Sequence, residues 1–333
     1  MMAKFAEIDQ FSKHFNLQFN KHREYQTSLG AFLTLFLILF AIGLFISQGL
    51  EFIYKEQPIT SIVTKYDLNT SLLSINRSSL LLAFQVVDKN FIPMFDPTIF
   101  TMTSHQFINN QTSDTPFVQK PLQLQNCSEV SQDFTKLNLT RYYEKNRMNV
   151  STFCMENQTT LIGGEFNTNY FSNMWVQLRF CKNATGQPIC KSKYEIEQKL
   201  RGSYFEFYFI DSLYVASSFA KPLRKIMKNY FVKLDPQIEK MTEMYFKKIK
   251  VLSDGGQFIF EDWKLSEDFT FDFMREEYQI MQENGDRFMA FTVNSSYNTI
   301  EVSRRYLDLV SFAGDMGGVT NLFFILFNAI SKN

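Results

Sequence analysis

Four cysteines and nine Asn-x-Ser/Thr triplets are the residues whose types and spacing carry most of the chemistry open to this chain. The triplets begin at Asn69, Asn76, Asn110, Asn126, Asn138, Asn149, Asn157, Asn183 and Asn294, all within residues 51–305. Such a triplet accepts an N-linked glycan where its asparagine is surface-exposed in a luminal compartment. Chance scatter in an Asn- and Ser-rich chain is the competing explanation. Cys127, Cys154, Cys181 and Cys190 fall in the same region. Four thiols allow three pairings. Pairing between sequence neighbours is favoured, because Cys181–Cys190 closes the short loop KNATGQPI and Cys127–Cys154 a longer one. Zinc is disfavoured by the lack of any C-x2-4-C pair and by the compartment that the triplets imply.

Residues for catalysis are sparse. The histidines are His14, His22 and His105, so one imidazole serves the whole central region. No G-x-S-x-G, P-loop, H-E-x-x-H or G-x-G-x-x-G occurs. Adjacent acids such as Glu261-Asp262, Glu267-Asp268 and Glu276-Glu277 point to opposite faces if they lie on strands, as solvated surface pairs do. The expectation is a protein that is not an enzyme and holds no cofactor. Lys plus Arg number 34 against 34 Asp plus Glu. That balance, without a long basic block, argues against nucleic acid as a partner.

Two apolar stretches must position whatever the centre does. No charge occurs between Glu24 and Glu51, and Leu29–Leu50 is long enough to cross a hydrocarbon core. An uncleaved anchor fits better than a signal peptide, since the run is long and no small-x-small site follows it. Lys4, Lys13, Lys21 and Arg23 precede it, which places the N-terminus in the cytosol. Leu309–Ile330 is a second apolar run, broken by Asp315. Its Gly314 and Gly318 form the G-x-x-x-G on which membrane helices pack closely. A second crossing is the favoured reading; a buried or re-entrant helix, or a span the chain ends before completing, are the alternatives. Asp315 either lines a path for cations between several copies of the chain or sits near the headgroups beside Arg304 or Arg305.

The expected organisation is α+β. It comprises a cytosolic amphipathic segment 1–28, a transmembrane helix 29–50, a β-rich domain 51–308 on the luminal or extracellular side, a second helix 309–330 and a tail 331–333. Phe5, Ile8, Phe11, Phe15 and Phe19 recur at helical spacing, which suits an interfacial helix or a packing face. Leu80–Val87, Tyr204–Ile210 and Phe269–Phe273 read as strands. Hairpins are expected at Ser253-Asp254-Gly255-Gly256 and at Glu283-Asn284-Gly285-Asp286. Residues 236–250 suit a strand somewhat better than a helix, and 101–160 reads as loops around a cysteine-stapled segment.

Phe11-Ser12-Lys13, the run Thr27-Ser28-Leu29-Gly30-Ala31-Phe32-Leu33-Thr34 and Met316-Gly317-Gly318-Val319 resemble motifs at the two membrane segments of the ER–Golgi intermediate compartment (ERGIC) cargo receptors. Ser12 stands where that family has Pro, and its cysteine pattern is missing from the central region. The chain also looks like two-pass membrane proteins of AT-rich eukaryotic genomes. In topology it is similar to trimeric ATP-gated and epithelial sodium channel/degenerin subunits. The resemblance implies a recognition or trafficking protein of the secretory pathway or plasma membrane. Such a protein contacts the lipid bilayer and binds a protein partner, or forms a homo-oligomer. The alternative is a subunit of an oligomeric cation channel.

Overall fold

Both apolar stretches form long helices. In a computed structural model the described residues are 13–19, 22–25, 28–55, 57–66, 72–112, 115–166, 168–186, 188–255, 262–282 and 285–331. Helix α1 (Ser28–Tyr54) runs beyond the apolar stretch at its C-terminal end. Both α1 and the helix at Leu309–Ser331 are long and apolar enough to cross a membrane. Leu29, Phe32, Leu39 and Ile46 of the first, and Leu322, Ile325 and Leu326 of the second, are exposed. A surface so apolar is stable in hydrocarbon and not in water, which supports an integral membrane protein. The two helices pack antiparallel through Phe36–Phe327, Phe40–Phe323, Phe45–Phe312 and Phe52–Phe312, with ring centroids 4.6–6.1 Å apart.

Before α1, β1 (Lys13–Phe19) and β2 (His22–Tyr25) form an antiparallel pair. The amphipathic helix expected here is therefore not formed at 13–19 and 22–25, and residues 1–12 lie outside the described set. Phe15, Leu17 and Phe19 satisfy a period of two as well as the helical period, and the alternation wins here.

The β-rich domain follows in chain order. Its first strands are β3 (Ile59–Tyr66), β4 (Leu73–Ile75), β5 (Leu82–Val87), β6 (Pro93–Met94), β7 (Phe100–Asn110), β8 (Phe117–Leu122) and β9 (Leu124–Asn126). A 3-10 turn at Cys127–Val130 leads into α2 (Ser131–Lys136) and α3 (Thr140–Lys145). Then come β10 (Thr152–Met155), β11 (Thr160–Gly164), β12 (Tyr170–Phe180) and α4 (Lys193–Leu200). Five strands close the domain: β13 (Tyr204–Tyr214), β14 (Leu223–Lys233), β15 (Ile238–Asp254), β16 (Trp263–Ile280) and β17 (Arg287–Arg305), before α5 (Leu309–Ser331). Residues 101–160 thus hold strands and short helices as well as loops.

The strands form two facing sheets. The smaller has the order β14-β13-β5-β10-β9, with β6 on β5. In the larger, β16-β15-β17-β12-β7-β8 run side by side; β11 joins the end of β12 and β3 joins the far half of β17. Phe84, Phe205, Phe207 and Phe209 of the smaller sheet meet Phe246, Phe288 and Phe291 of the larger in one core. Each fully buried Phe there contributes about 2 kcal/mol. The smaller sheet is buried on its other face too: Ala83, Tyr208 and Ile210 lie under Val130, Phe134 and Leu139 of the helical cap. A sheet covered on both faces reads as an unbroken apolar run, which accounts for LLLAFQVV and YFEFYFI. The Cys127–Cys154 disulfide ties this cap to β10, and Cys181–Cys190 closes the loop after β12, as neighbour pairing predicts.

Residues 238–250 fall in strand, as favoured, after a turn at 236–237. The first expected turn does join an antiparallel pair, β15 and β16, but β16 starts only at Trp263. The second is not a hairpin. Strand β15 lies between β16 and β17 and runs parallel to β17, so β16 and β17 are not neighbours in the sheet. Local turn chemistry at Asn284-Gly285 carries no information about the strand that intervenes.

Arg304 joins the sheets next to the membrane helices. It is 0% exposed. Its Nε donates to Ser253 Oγ (2.6 Å), and its remaining nitrogens donate to the carbonyls of Ala216, Ser218 and Phe219 (3.3, 2.7 and 2.7 Å). These carbonyls belong to the loop between β13 and β14, whereas Arg304 is the penultimate residue of β17, five residues before α5 begins at Leu309. Removing a guanidinium from water is costly unless its donors are satisfied, as these are.

Candidate functional site

The outer face of the larger sheet, opposite the core, is aromatic. Alternation along β12 puts Met174, Val176 and Leu178 in the core and Phe171, Asn173 and Trp175 outward. The register sets Phe107 of β7 opposite Asn173, Asn294 of β17 beside it, and Tyr245 of β15 opposite Asn294. Together with Glu165, Phe166, Glu243 and Tyr297 these residues line a cleft of about 350 Å³, within the range of ligand sites.

One wall depends on Gly164. Its φ is +78°, and a Cβ there would meet the Tyr170 carbonyl oxygen at 1.9 Å. Only glycine lets the β11–β12 turn fold back so tightly and carry Glu165 and Phe166 over the sheet. The pair Gly163-Gly164 is too short for a phosphate loop, and its backbone role is visible only in the fold.

A polar network forms the floor. Trp175 Nε1 donates to Asn173 Oδ1 (2.8 Å), Asn173 Nδ2 to Asn294 Oδ1 (3.1 Å) and Asn294 Nδ2 to Thr292 Oγ1 (2.8 Å). Two carboxylates sit on the walls. Tyr245 donates to Glu243 (3.1 Å), which also meets Arg275 at 2.7 Å, and Tyr297 donates to Glu165. Burial, then the Glu243 charge, pushes the Tyr245 hydroxyl up to about 12; burial, then Glu165, raises that of Tyr297. Both remain protonated donors at neutral pH. Among the described residues Asn109 Oδ1, buried at the edge of the cleft, has no donor, while Asn109 Nδ2 holds the Phe166 carbonyl (3.3 Å).

At the other end of the face, His105 stacks on Trp175 (centroids 6.0 Å) and the Arg287 guanidinium lies 5.9 Å from the same ring. Burial, then the charges of Arg179 and Arg287, lower the His105 pKa.

The sequence-derived residues are distributed differently. Asn138, Asn149, Asn157 and Asn183 are exposed and far from the cleft in the fold; Asn76, Asn110 and Asn126 are half-buried. Asn69 lies outside the described residues. Asn294 belongs to the cleft floor, 6% exposed. Gly314 and Gly318 have no atom within 4 Å of a Cβ position, so α1 does not use the G-x-x-x-G face. Asp315 is exposed on α5, and it pairs with neither neighbouring arginine: Arg304 is held by the loop carbonyls and Arg305 meets Asp254 at 3.4 Å. Sequence reasoning missed the cleft. Its one advance signal was period-two alternation at Phe171, Asn173 and Trp175, which does not say which face is covered.

Fold and cleft together define a membrane protein with two apolar terminal helices and a β-sandwich carrying an aromatic, acidic recess. The chain belongs to the family described as "Uncharacterised 80 kDa protein N-terminal domain", whose profile matches residues 83–296. No curated protein matches. Two solved structures show a slight likeness. The cryo-EM structure of a proton-activated chloride channel has 10% identity, covering 92% of this chain and 97% of that one, at a TM-score of 0.30. The crystal structure of Erv41p has 11% identity, covering 74% of this chain and 99% of that one, at a TM-score of 0.26. Scores so low carry no weight for function.

The site gives a pH expectation. The unfolded chain binds a proton at His105 near the ordinary histidine value of 6.5 and the folded chain at a lower pH. Stability from this group is therefore full above that value and is lost as pH falls through it toward the folded pKa. Thermal unfolding followed by Trp fluorescence should give a midpoint that drops from about pH 7.5 to about pH 5.5, and His105→Gln should flatten this drop.

Proposed function

We propose that this is a membrane-anchored recognition protein. Its N-terminus is cytosolic, its β-rich domain is luminal or extracellular, and that domain binds a protein partner in secretory or plasma membranes. The observation that carries the reading is the cleft: a recess with aromatic walls and two carboxylates on a sheet face that no helix among the described residues covers. Aromatic side chains offer large contact area at small entropic cost and are enriched where proteins bind one another. Two disulfides and the lysine-rich N-terminal flank support the orientation.

A photoreactive phenylalanine analogue at Phe166, in cells, should give a discrete covalent adduct that the same analogue at exposed Ile189 does not give. Failure at position 166 sinks the reading. Orientation has its own check. Endoglycosidase should shift the mobility of the cell-expressed protein, and Asn138→Gln, Asn149→Gln, Asn157→Gln or Asn183→Gln should each remove one step. Asn294→Gln should remove none, because the folded domain holds that amide in its floor.

One observation favours a channel subunit as a second reading. Asp315 is exposed in an apolar helix one turn past Phe312, with no ion-pair partner among the described residues. A carboxylate in a span is costly unless it faces water or other protein. Purified protein in planar bilayers should then pass a cation current that Asp315→Asn diminishes; silent bilayers would remove this alternative.

A further inference from the structure

The cleft offers anchored acceptors. Trp175 donates to Asn173, Asn173 to Asn294, Asn294 to Thr292, Ser295 to the Ser296 carbonyl, Tyr245 to Glu243 and Tyr297 to Glu165. The carboxylate oxygens of Glu165 and Glu243 keep lone pairs beyond these bonds. Charge points the same way. The lining residues carry two carboxylates and no basic group. Arg275 compensates Glu243 only partly, since it is shared with Glu277 (3.2 Å) and is 57% exposed. Glu165 has no ion-pair partner among the described residues. The recess thus has one negative charge over, set among the rings of Phe107, Phe166, Phe171, Tyr245 and Tyr297.

Aromatic faces attract a cation through the ring quadrupole, and the attraction grows where water is excluded. The same rings take up an alkyl stem by apolar contact. We propose that the cleft binds an alkylammonium group, a single positive charge on an apolar chain, with the head on Glu165 and the stem against the rings. A lysine side chain of a partner protein and a free primary amine share that chemistry. The proposal rests on the recognition reading of the same cleft and narrows it to a ligand class.

Trp175 supplies the readout. With Trp263→Phe it is the only tryptophan, since the chain has two. The full chain in detergent micelles is titrated with n-butylammonium, with acetyl-Ala-Lys-Ala-amide and with the norleucine analogue of that peptide. At least one of n-butylammonium and the lysine peptide should change Trp175 emission saturably; n-butanol, titrated alongside as the uncharged control, and the norleucine peptide should not. Response to the free amine alone assigns the source as a small molecule, and response to the peptide alone assigns it as a partner chain. Glu165→Gln should weaken binding about tenfold, in the range of a charge-assisted contact, and Phe166→Ala should also weaken it while the domain stays folded. An equal response to butanol, or unchanged affinity in Glu165→Gln, overturns the proposal. A photo-adduct at position 166 without amine or lysine-peptide binding leaves the recognition reading standing and removes only the cation. Amine binding without any adduct does the reverse.

Discussion

A domain strung between two antiparallel membrane helices must begin and end at the same place. Helix α1 delivers β3 and β17 delivers α5, and the two strands pair from Ile59–Arg305 to Tyr66–Asn298. Arg304 sits in this stem, wholly buried, with its donors on Ser253 and on the loop between β13 and β14. One guanidinium thereby couples the end of the larger sheet, the smaller sheet and the second helix. The interaction tolerates no lysine, because an ammonium cannot direct planar donors to four oxygens in a fork.

The rest of the domain can be understood outward from that stem. Strands β15, β16 and β17 run 17, 18 and 19 residues, long enough to belong both to the stem and to the sandwich. Where they pass from one to the other the pairing shifts, at Tyr245/Phe246 against β16 and at Phe246/Lys248 against β17. Asp272 marks this level, accepting from Lys247, Ser296 and Asn298. On the opposite side Asp211 takes the backbone N–H of Phe271 (2.9 Å). Bulges redirect long strands, and here carboxylates satisfy the groups that the ladder leaves free.

The two sheets differ in what covers them, and that difference locates the cleft. The smaller sheet has its helical cap, fastened by the Cys127–Cys154 bond. The larger sheet has none, and its outer face keeps Phe107, Phe171, Trp175, Tyr245 and Tyr297 within reach of solvent. A soluble face of such composition is unusual unless something binds it. The chain's high aromatic content therefore serves three places: the seam between the two long apolar helices, a core between the sheets and a recess on one surface. Recognition is the function this asymmetry supports.

The span lengths, the absence of charge between Glu24 and Glu51, the strand character of Tyr204–Ile210 and the neighbour pairing of four cysteines could all be read from the sequence. Each is a local quantity: a length, a period or a spacing. The cleft was not legible, although its residues were. Asn173, Glu243 and Asn294 are far apart along the chain: Asn173 and Asn294 meet because β12 pairs with β17, and Glu243 joins them because β15 inserts between β16 and β17, pairings that no turn motif announces. Gly164 and Arg304 likewise gain meaning only from what lies against them. Sequence determined which segments are apolar and which alternate; tertiary structure decided which alternating face is buried, since that depends on what packs above it.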